Sequence, residues 1–240
     1  MTHPAAALDA HLASPRKILS AFSVASAGTL LATVLSVGTN KIIAVMTGAE
    51  GVALMGLYRG LGAFILGAVT SGSNLLVMQK VSAARSESER SDLISATALL
   101  TILQGLIIFL AAILAPDAIS RSLFGSQQKA GGILEVQIVL GMTFLNLATQ
   151  AAIAILKGQP DVKPVTILQV ATSTASILLI FPLLQLGRVG LAINVGSGSA
   201  VGACLGIFFI FKLFRPKFNE KGLKERWTLL TSAGTSPLWL

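Results

Sequence analysis

Charged residues are scarce in this chain and almost absent from its long apolar stretches. Only 12% of the 240 residues are Asp, Glu, Lys or Arg, whereas a soluble domain carries about 25%. Hydrophobic residues make up 53% of the sequence, and the mean hydropathy is +0.79. This composition excludes an ordinary water-soluble domain and predicts an all-α polytopic membrane protein.

Cysteine, histidine and acidic residues are also in short supply, which removes most kinds of catalytic chemistry. The one cysteine, Cys204, lies in an apolar segment, and the two histidines, His3 and His11, lie in the N-terminal tail. The chain can therefore form neither an internal disulfide nor a Cys-based metal site. The loops lack paired carboxylates, a nucleophile with a base and a P-loop. We expect no enzyme activity, no metal and no cofactor.

Six segments are long and apolar enough to cross about 30 Å of hydrocarbon as helices. The predicted spans are residues 18–40, 52–79, 93–115, 133–156, 164–186 and 189–211. They form a six-helix lobe at 18–211, between an N-terminal tail at 1–17 and a basic C-terminal tail at 212–240. An even number of spans places both tails on the same side of the membrane.

Basic residues are distributed unequally between the two sides of this predicted topology. Thirteen Lys and Arg residues fall on the side of the tails, four fall on the other side, and Arg59 lies inside a span. Short loops rich in Lys and Arg stay in the cytoplasm, so both termini are predicted to be cytoplasmic. The net charge of +8 is interpreted as a topology and lipid-headgroup signal, and no nucleic-acid partner is expected.

Arg59 is the only charge in the apolar interior of the predicted spans. An arginine in hydrocarbon costs about 2.5–3.5 kcal/mol on insertion scales. Arg59 lies about eight residues from the outer end of its helix, roughly 12 Å deep at 1.5 Å per residue. Its side chain either snorkels outward to the interface or points into a cavity and meets an anionic group. The neighbouring Tyr58 is predicted to be a packing or interfacial aromatic residue.

Polar residues within the spans are small or neutral and recur at helical spacing. Stripes in the first and sixth spans are Ser26, Thr29, Thr33, Ser36 and Asn40, and Asn194, Gly198, Gly202 and Gly206. Such stripes either pack helices against one another or line a hydrated cavity, and the sequence leaves both interpretations open. The candidate substrate-binding residues are Arg59, Asn74, Gln104, Asn146 and Gln150.

The stretch that joins the first two spans carries a pattern of one lysine and several small residues. Its members are Lys41, Ala44, Gly48, Gly51 and Gly56. With a long second span and a charged loop after it, this pattern resembles the N-terminal part of O-antigen and polysaccharide translocases. These are the Wzx-type flippases of the multidrug/oligosaccharidyl-lipid/polysaccharide exporter superfamily, and the match is clearest over residues 18–90.

The resemblance implies six transmembrane helices that form one lobe of such a flippase. It also implies movement of undecaprenyl-diphosphate-linked O-antigen or other polysaccharide units between leaflets of the bacterial inner membrane, from the cytoplasmic to the periplasmic side. The implied partners are the lipid-linked oligosaccharide and membrane lipids. Arginine suits the phosphates of such a substrate, and amides and hydroxyls suit its sugars.

This chain departs from the family in its number of spans. The family has twelve or more spans in two six-span lobes, whereas six are predicted here. Either the reading frame is truncated or shifted, or half-size chains assemble as copies or with a separate second lobe. In both cases the chain alone is expected not to form a complete alternating-access transporter.

Two other functions remain open at this point. One is a small-molecule or drug exporter of the same superfamily, for which an intramembrane carboxylate would be the expected sign. No Asp or Glu lies in a predicted span core, and Glu135 sits at the edge of the fourth span. The other is a membrane scaffold that organises a polysaccharide assembly complex without transporting anything.

Overall fold

A computed structural model of the chain describes residues 15–70, 72–84, 86–124, 131–159 and 161–214. Every regular element in these ranges is an α-helix. The helices are α1 (Pro15–Thr70), α2 (Ser73–Ala83), α3 (Glu87–Leu114), α4 (Pro116–Phe124), α5 (Gly131–Lys157), α6 (Lys163–Leu184) and α7 (Gly187–Phe214). The predicted tails lie outside the described residues, apart from a few residues that extend α1 and α7.

Helix α1 reverses direction at Gly48. Its 56 residues would extend about 84 Å if straight, far more than one bilayer crossing requires. Gly48 has φ 67° and ψ −162°, a backbone region that glycine alone occupies without strain. It separates a first arm (residues 15–47) from a second arm (residues 49–70). Arg59 Nη1 donates a hydrogen bond to Asn40 Oδ1 over 2.5 Å, so the two arms lie side by side.

The helices have the length and the surface of membrane spans. Within the described ranges, five are long and apolar enough to cross a membrane, and α1 is one of them. Six spans were predicted; the first and most of the second fall within α1, which Gly48 divides into two arms. Large apolar side chains are exposed along the outward faces, as lipid contact requires, among them Leu30, Val34, Phe64, Phe109 and Leu178. The prediction of an all-α polytopic membrane protein is confirmed.

Three local features differ from the predicted topology. The predicted loop around Lys41 is absent, because the first arm stays helical up to Gly48. The second predicted span is interrupted at Gly72, which has φ 82° and separates the second arm from α2. The loop after the third span contains α4, which starts at Pro116 and exposes Asp117 and Arg121. Proline is well suited to the first position of a helix, where its missing N–H has no partner to lose.

Helix α7 packs closely on α5 and α6 because glycines remove side chains from the contact. A Cβ atom at Gly196 would lie 2.8 Å from the Met142 carbonyl oxygen, and one at Gly206 would lie 2.5 Å from Ala152 Cβ. One at Gly202 would lie 2.7 Å from Thr172 Oγ1. Small residues let membrane helices approach in this way. The packing interpretation of the glycine stripe is confirmed.

Candidate functional site

Polar faces of four helices meet at a groove of about 430 Å³, which we call the polar groove. It lies among the first arm of α1, α5, α6 and α7. The first arm contributes Thr29, Thr33 and Ser36, which share one face because residues three and four apart align on a helix. Thr29 and Thr33 donate their hydroxyl hydrogens to backbone carbonyls one turn earlier, both over 2.9 Å. Their lone pairs stay available as hydrogen-bond acceptors.

Three amide side chains line the polar groove without a hydrogen-bond partner in the described part of the chain. Asn146 and Gln150 project from α5, and Gln169 projects from α6. Each amide offers two N–H donors and a carbonyl acceptor. A hydroxylated ligand in the groove could therefore bond to these groups without breaking any internal hydrogen bond.

One cation lies at the end of the polar groove. Lys157 is the last residue of α5, its side chain is exposed, and it is the only charged residue among the described ones that line the groove. Among the described residues it forms no salt bridge. Eleven residues separate it from Asn146, which corresponds to about 16 Å along the helix. The groove thus runs from amides inside the bundle to a free ammonium group at the end of α5.

The wall of the polar groove is tied together by threonine hydroxyls. Thr149 Oγ1 donates to the Ser199 carbonyl oxygen over 2.8 Å, which joins α5 to α7. Thr172 Oγ1 donates to the Leu168 carbonyl oxygen over 2.7 Å within α6. The Thr149 hydroxyl thus holds α5 against α7 and the Thr172 hydroxyl is satisfied within its own helix, whereas the nearby amides have no hydrogen-bond partner among the described residues. The packing interpretation therefore holds for Thr149, and a hydrated cavity lined by the amides remains a prediction.

Two of the predicted substrate-binding residues, Asn146 and Gln150, lie together in the polar groove, and Gln104 does not. Gln104 is buried, and its Nε2 donates to the Val69 carbonyl oxygen over 3.0 Å and to Ser73 Oγ over 3.3 Å. The break at Gly72 leaves the last carbonyls of the second arm without intrahelical partners. Gln104 fills that gap and thereby stabilises the break.

Arg59 and Asn74 also lie outside the residues that line the polar groove. Arg59 is half-buried and bonded to Asn40, so its guanidinium joins the two arms of α1. Asn74 is half-buried in the first turn of α2. Tyr58 is fully buried in the apolar core, which confirms that it is a packing residue. The roles predicted for Arg59, Asn74 and Gln104 in substrate binding remain predictions.

The motif that carried the family resemblance has a structural reason at two of its glycines. Gly48 provides the positive-φ reversal of α1. Gly51 is buried, and a Cβ atom there would overlap the Thr47 side chain. Lys41 and Gly56 are exposed on the two arms. The spacing of the motif thus encodes a tight helical hairpin.

A second groove, of about 550 Å³, lies between α3 and α5 and is almost entirely apolar. Phe109 and Ile113 line it from α3, and Leu140 and Phe144 line it from α5. Gly105 allows the Phe144 ring to lie against α3, where a Cβ atom would overlap the ring. Since Phe109 and Ile113 are also largely exposed, the surroundings of this groove suit lipid tails and not a charged or hydroxylated ligand.

Sequence reasoning missed Lys157 and placed it in the turn after the fourth span. A signal was present, because Asn146, Gln150, Ile153 and Lys157 follow one another at spacings of four, three and four. Such residues share one face of a helix. Continuing the polar face to the last residue of the span would have included the lysine.

Comparison with known proteins places this architecture in a family. The sequence profile described as "Polysaccharide biosynthesis protein" matches residues 18–236, which is nearly the whole chain. No curated protein and no solved structure matches the chain. The matched region includes all the helices that form the polar groove. The chain is therefore a multi-pass membrane protein that belongs to the polysaccharide biosynthesis protein family.

Proposed function

We propose that the protein is a flippase that moves a lipid-linked oligosaccharide across the bacterial inner membrane. The observation that carries the proposal is the polar groove, in which three unpartnered amides lead to one free lysine. Lys157 would bind the diphosphate of the carrier lipid, and Asn146, Gln150 and Gln169 would bind sugar hydroxyls. Charged donors favour phosphate oxygens, and amides can donate and accept at once.

The proposed direction of transport follows from the charge distribution. The end of the bundle with Lys80, Lys157, Lys163 and Lys212 would face the cytoplasm under the positive-inside rule. The polar groove would then open towards the leaflet in which we expect the lipid-linked oligosaccharide to be assembled. O-antigen units carried on undecaprenyl diphosphate are the substrate we propose.

The volume of the polar groove limits what it can enclose. A volume of 430 Å³ lies within the range of about 300–1,000 Å³ for pockets that hold drug-sized ligands. It would accommodate the diphosphate and adjoining sugar atoms but not a whole repeat unit. We therefore propose that a second copy of the chain, or a separate second lobe, encloses the rest of the substrate.

Exchange of Lys157 for Met tests this function in cells that lack the chromosomal gene. A hydrogen bond to a charged group contributes about 1.5–3 kcal/mol, which corresponds to roughly a 10- to 150-fold change in binding. We expect the Lys157→Met variant to lose most surface polysaccharide and to accumulate lipid-linked oligosaccharide on the cytoplasmic leaflet, at normal membrane levels of the protein.

Lys163→Met is the matched control for this experiment. Lys163 is exposed at the start of α6, at the same end of the bundle, but it does not line the polar groove. Its exchange removes the same charge and should leave surface polysaccharide close to normal. Equal losses in both variants would show that only net charge matters and would contradict the proposed site.

Export of a smaller polar molecule is a second candidate function, because the structure buries the Glu135 side chain. Its exposure is only 6%, although its position near the start of α5 agrees with the predicted span edge. An inward-facing carboxylate is typical of proton-driven carriers. Normal surface polysaccharide in a strain without the gene, together with lost resistance to a small toxic compound, would favour this function over the flippase.

A further inference from the structure

A cluster of four ionisable side chains lies at the end of the bundle opposite Lys157. Glu50 follows the Gly48 reversal by two residues, Glu135 lies in the second turn of α5, and Arg188 is the second residue of α7. Tyr58 belongs to the second arm of α1. Glu135 and Lys157 are 22 residues apart on one helix, about 33 Å, so the cluster and the polar groove lie near opposite membrane surfaces.

The cluster contains one exposed ion pair and one buried carboxyl group. Arg188 Nη2 donates to Glu50 Oε1 over 2.6 Å, and both side chains are substantially exposed. Glu135 is 6% exposed, and the fully buried Tyr58 hydroxyl lies beside it. Arg188 also lies close enough to interact electrostatically with Glu135. The guanidinium thus pairs with one exposed carboxylate and lies within electrostatic range of a second, buried carboxyl group.

These surroundings make the charge of Glu135 conditional. Transfer of an isolated carboxylate into an apolar interior is very costly, so a buried carboxyl group is neutral unless a cation balances it. One guanidinium can neutralise one carboxylate, and the Arg188 guanidinium is already paired with Glu50. An exposed ion pair contributes only about 0–1 kcal/mol. Little free energy therefore holds Arg188 on Glu50 once Glu135 becomes charged.

We propose that Glu135 is a proton-binding site and that its proton determines whether Arg188 stays paired with Glu50. With the proton bound, Glu135 is neutral and Arg188 holds the reversal of α1 against the start of α7. When the carboxyl O–H bond breaks, the proton passes to water and leaves one negative charge on Glu135. Arg188 then turns inward to that charge, its bond to Glu50 breaks, and the reversal of α1 separates from α7.

Other ionisable groups near this end of the bundle are oriented differently. Helix α4 packs against α5 and carries Asp117 and Arg121, whose side chains are both exposed. Arg59 on the second arm is engaged by Asn40, and Lys41 on the first arm is exposed. Among the described residues of this end, Glu135 is therefore the buried acid and Arg188 is the cation that acts on it.

The proton site would couple transport to a proton gradient, a step that rests on the flippase proposal. Opening at this end would depend on Glu135, while the substrate would load at the Lys157 end. For such coupling Glu135 would bind a proton from the side of higher proton concentration and release it to water on the opposite side, so that one proton crosses the membrane in each cycle. The distance measurement described next does not depend on any transported substrate.

We call the Arg188–Glu50 pair, which holds the reversal of α1 against α7, the latch. Distances between spin labels in lipid nanodiscs test directly whether it opens. In the full chain with Cys204→Ala, labels at Ala49→Cys and Val189→Cys report the separation of the reversal from α7. We expect the short distance to predominate at low pH and to be lost as the pH rises and Glu135 gives up its proton. Glu135→Gln should keep the short distance throughout, whereas Arg188→Gln should lose it throughout.

The control is Glu87→Gln, which removes an exposed carboxylate at the start of α3 and should retain the parent response. A pH response in Glu135→Gln equal to that of the parent would overturn the proton site. A separation in Arg188→Gln that still changes with pH as in the parent would overturn the latch.

Transport assays in proteoliposomes separate this inference from the function it rests on. Flipping by the parent chain that responds to an imposed pH gradient, together with flipping by Glu135→Gln that ignores it, would support coupling. Gradient-dependent flipping in both would refute coupling and leave the flippase standing. Absence of flipping of any lipid-linked oligosaccharide by the parent would refute the flippase and the coupling role, while the distance measurement would still decide the latch.

Discussion

The contact between α5 and α7 is the packing feature whose energetic consequence can be worked out most directly. At Gly196 an added Cβ atom would lie 2.6 Å from Met142 Cβ and 2.8 Å from the Met142 carbonyl oxygen. Real Cβ atoms essentially never come within 3.0 Å of another heavy atom. The carbonyl oxygen and the Met142 Cα, at 3.0 Å, belong to the backbone, so no rotamer change relieves the overlap and one helix has to move.

Gly196→Ala therefore combines a packing cost with a backbone gain. Overpacking a close-packed interior costs about 1–3 kcal/mol, whereas Gly→Ala in a helix gains about 0.5–1 kcal/mol. Gly67→Ala is the matched control, because Gly67 is helical and a Cβ atom there meets nothing within 4 Å. The stability difference between the two variants isolates the packing cost, and we expect Gly196→Ala to be less stable by about 1–3 kcal/mol.

Reversible unfolding in mixed micelles, followed by the far-ultraviolet circular dichroism of the helices, measures this difference. The free energy of unfolding is compared at equal detergent composition for the parent, Gly196→Ala and Gly67→Ala. Equal stabilities of the two variants would show that α5 and α7 are not in close contact and would refute the reasoning.

Three further predictions use the same protein preparations or cells. Gln104→Leu should lower the free energy of unfolding by about 1–3 kcal/mol, because the Val69 carbonyl loses a hydrogen-bond partner. Gln79→Leu, at an exposed position, should leave it unchanged. Equal losses in the two variants would contradict the role of Gln104 in stabilising the break at Gly72. Gly48→Ala should cost about 1–3 kcal/mol of unfolding free energy, whereas Gly56→Ala, at an exposed helical position, should gain about 0.5–1 kcal/mol. Arg59→Ala should abolish surface polysaccharide at normal membrane levels of the protein. Normal polysaccharide would remove Arg59 from the mechanism, and an equal loss in Asn40→Leu would assign its effect to the contact between the arms.

The membrane spans could be predicted because their signal is local. A chain in hydrocarbon has to satisfy every backbone polar group within its own segment, so an uncharged run of sufficient length indicates a helix. The described helices begin and end within a few residues of the predicted spans at 133–156 and 164–186. The reversal at Gly48 was more compact than predicted, since one residue does what a loop was expected to do.

The site was only partly predictable because it depends on how the helices pack. The polar stripe of the first span was recognised and Gln150 was a candidate binding residue, but nothing local shows that Thr33, Gln150 and Gln169 meet in one groove. Gln104 has the same chemistry as Gln150 and was assigned the same role. Gln104 instead bonds to residues on either side of the helix break at Gly72, and only the three-dimensional packing reveals this contact.

The burial of Glu135 likewise depends on how the helices pack and could not be predicted from the sequence. The sequence placed it only at the edge of the fourth span, because distance along the helix was the only coordinate that the sequence supplied. Burial was decided by lateral neighbours, with Tyr58 contributed by the second arm. Residues 77 positions apart in the chain therefore determine the environment of this acid.

The single-residue reversal at Gly48 leaves almost no chain projecting beyond the bundle between the first two crossings. A protease, an antibody or a phage approaching that face would find little exposed backbone to bind or cleave. An epitope tag inserted after Gly48 would have to separate the two helical arms that the Arg59–Asn40 hydrogen bond joins. Reporter insertions meant to map the topology should therefore be tolerated poorly at this reversal, whichever side of the membrane it faces.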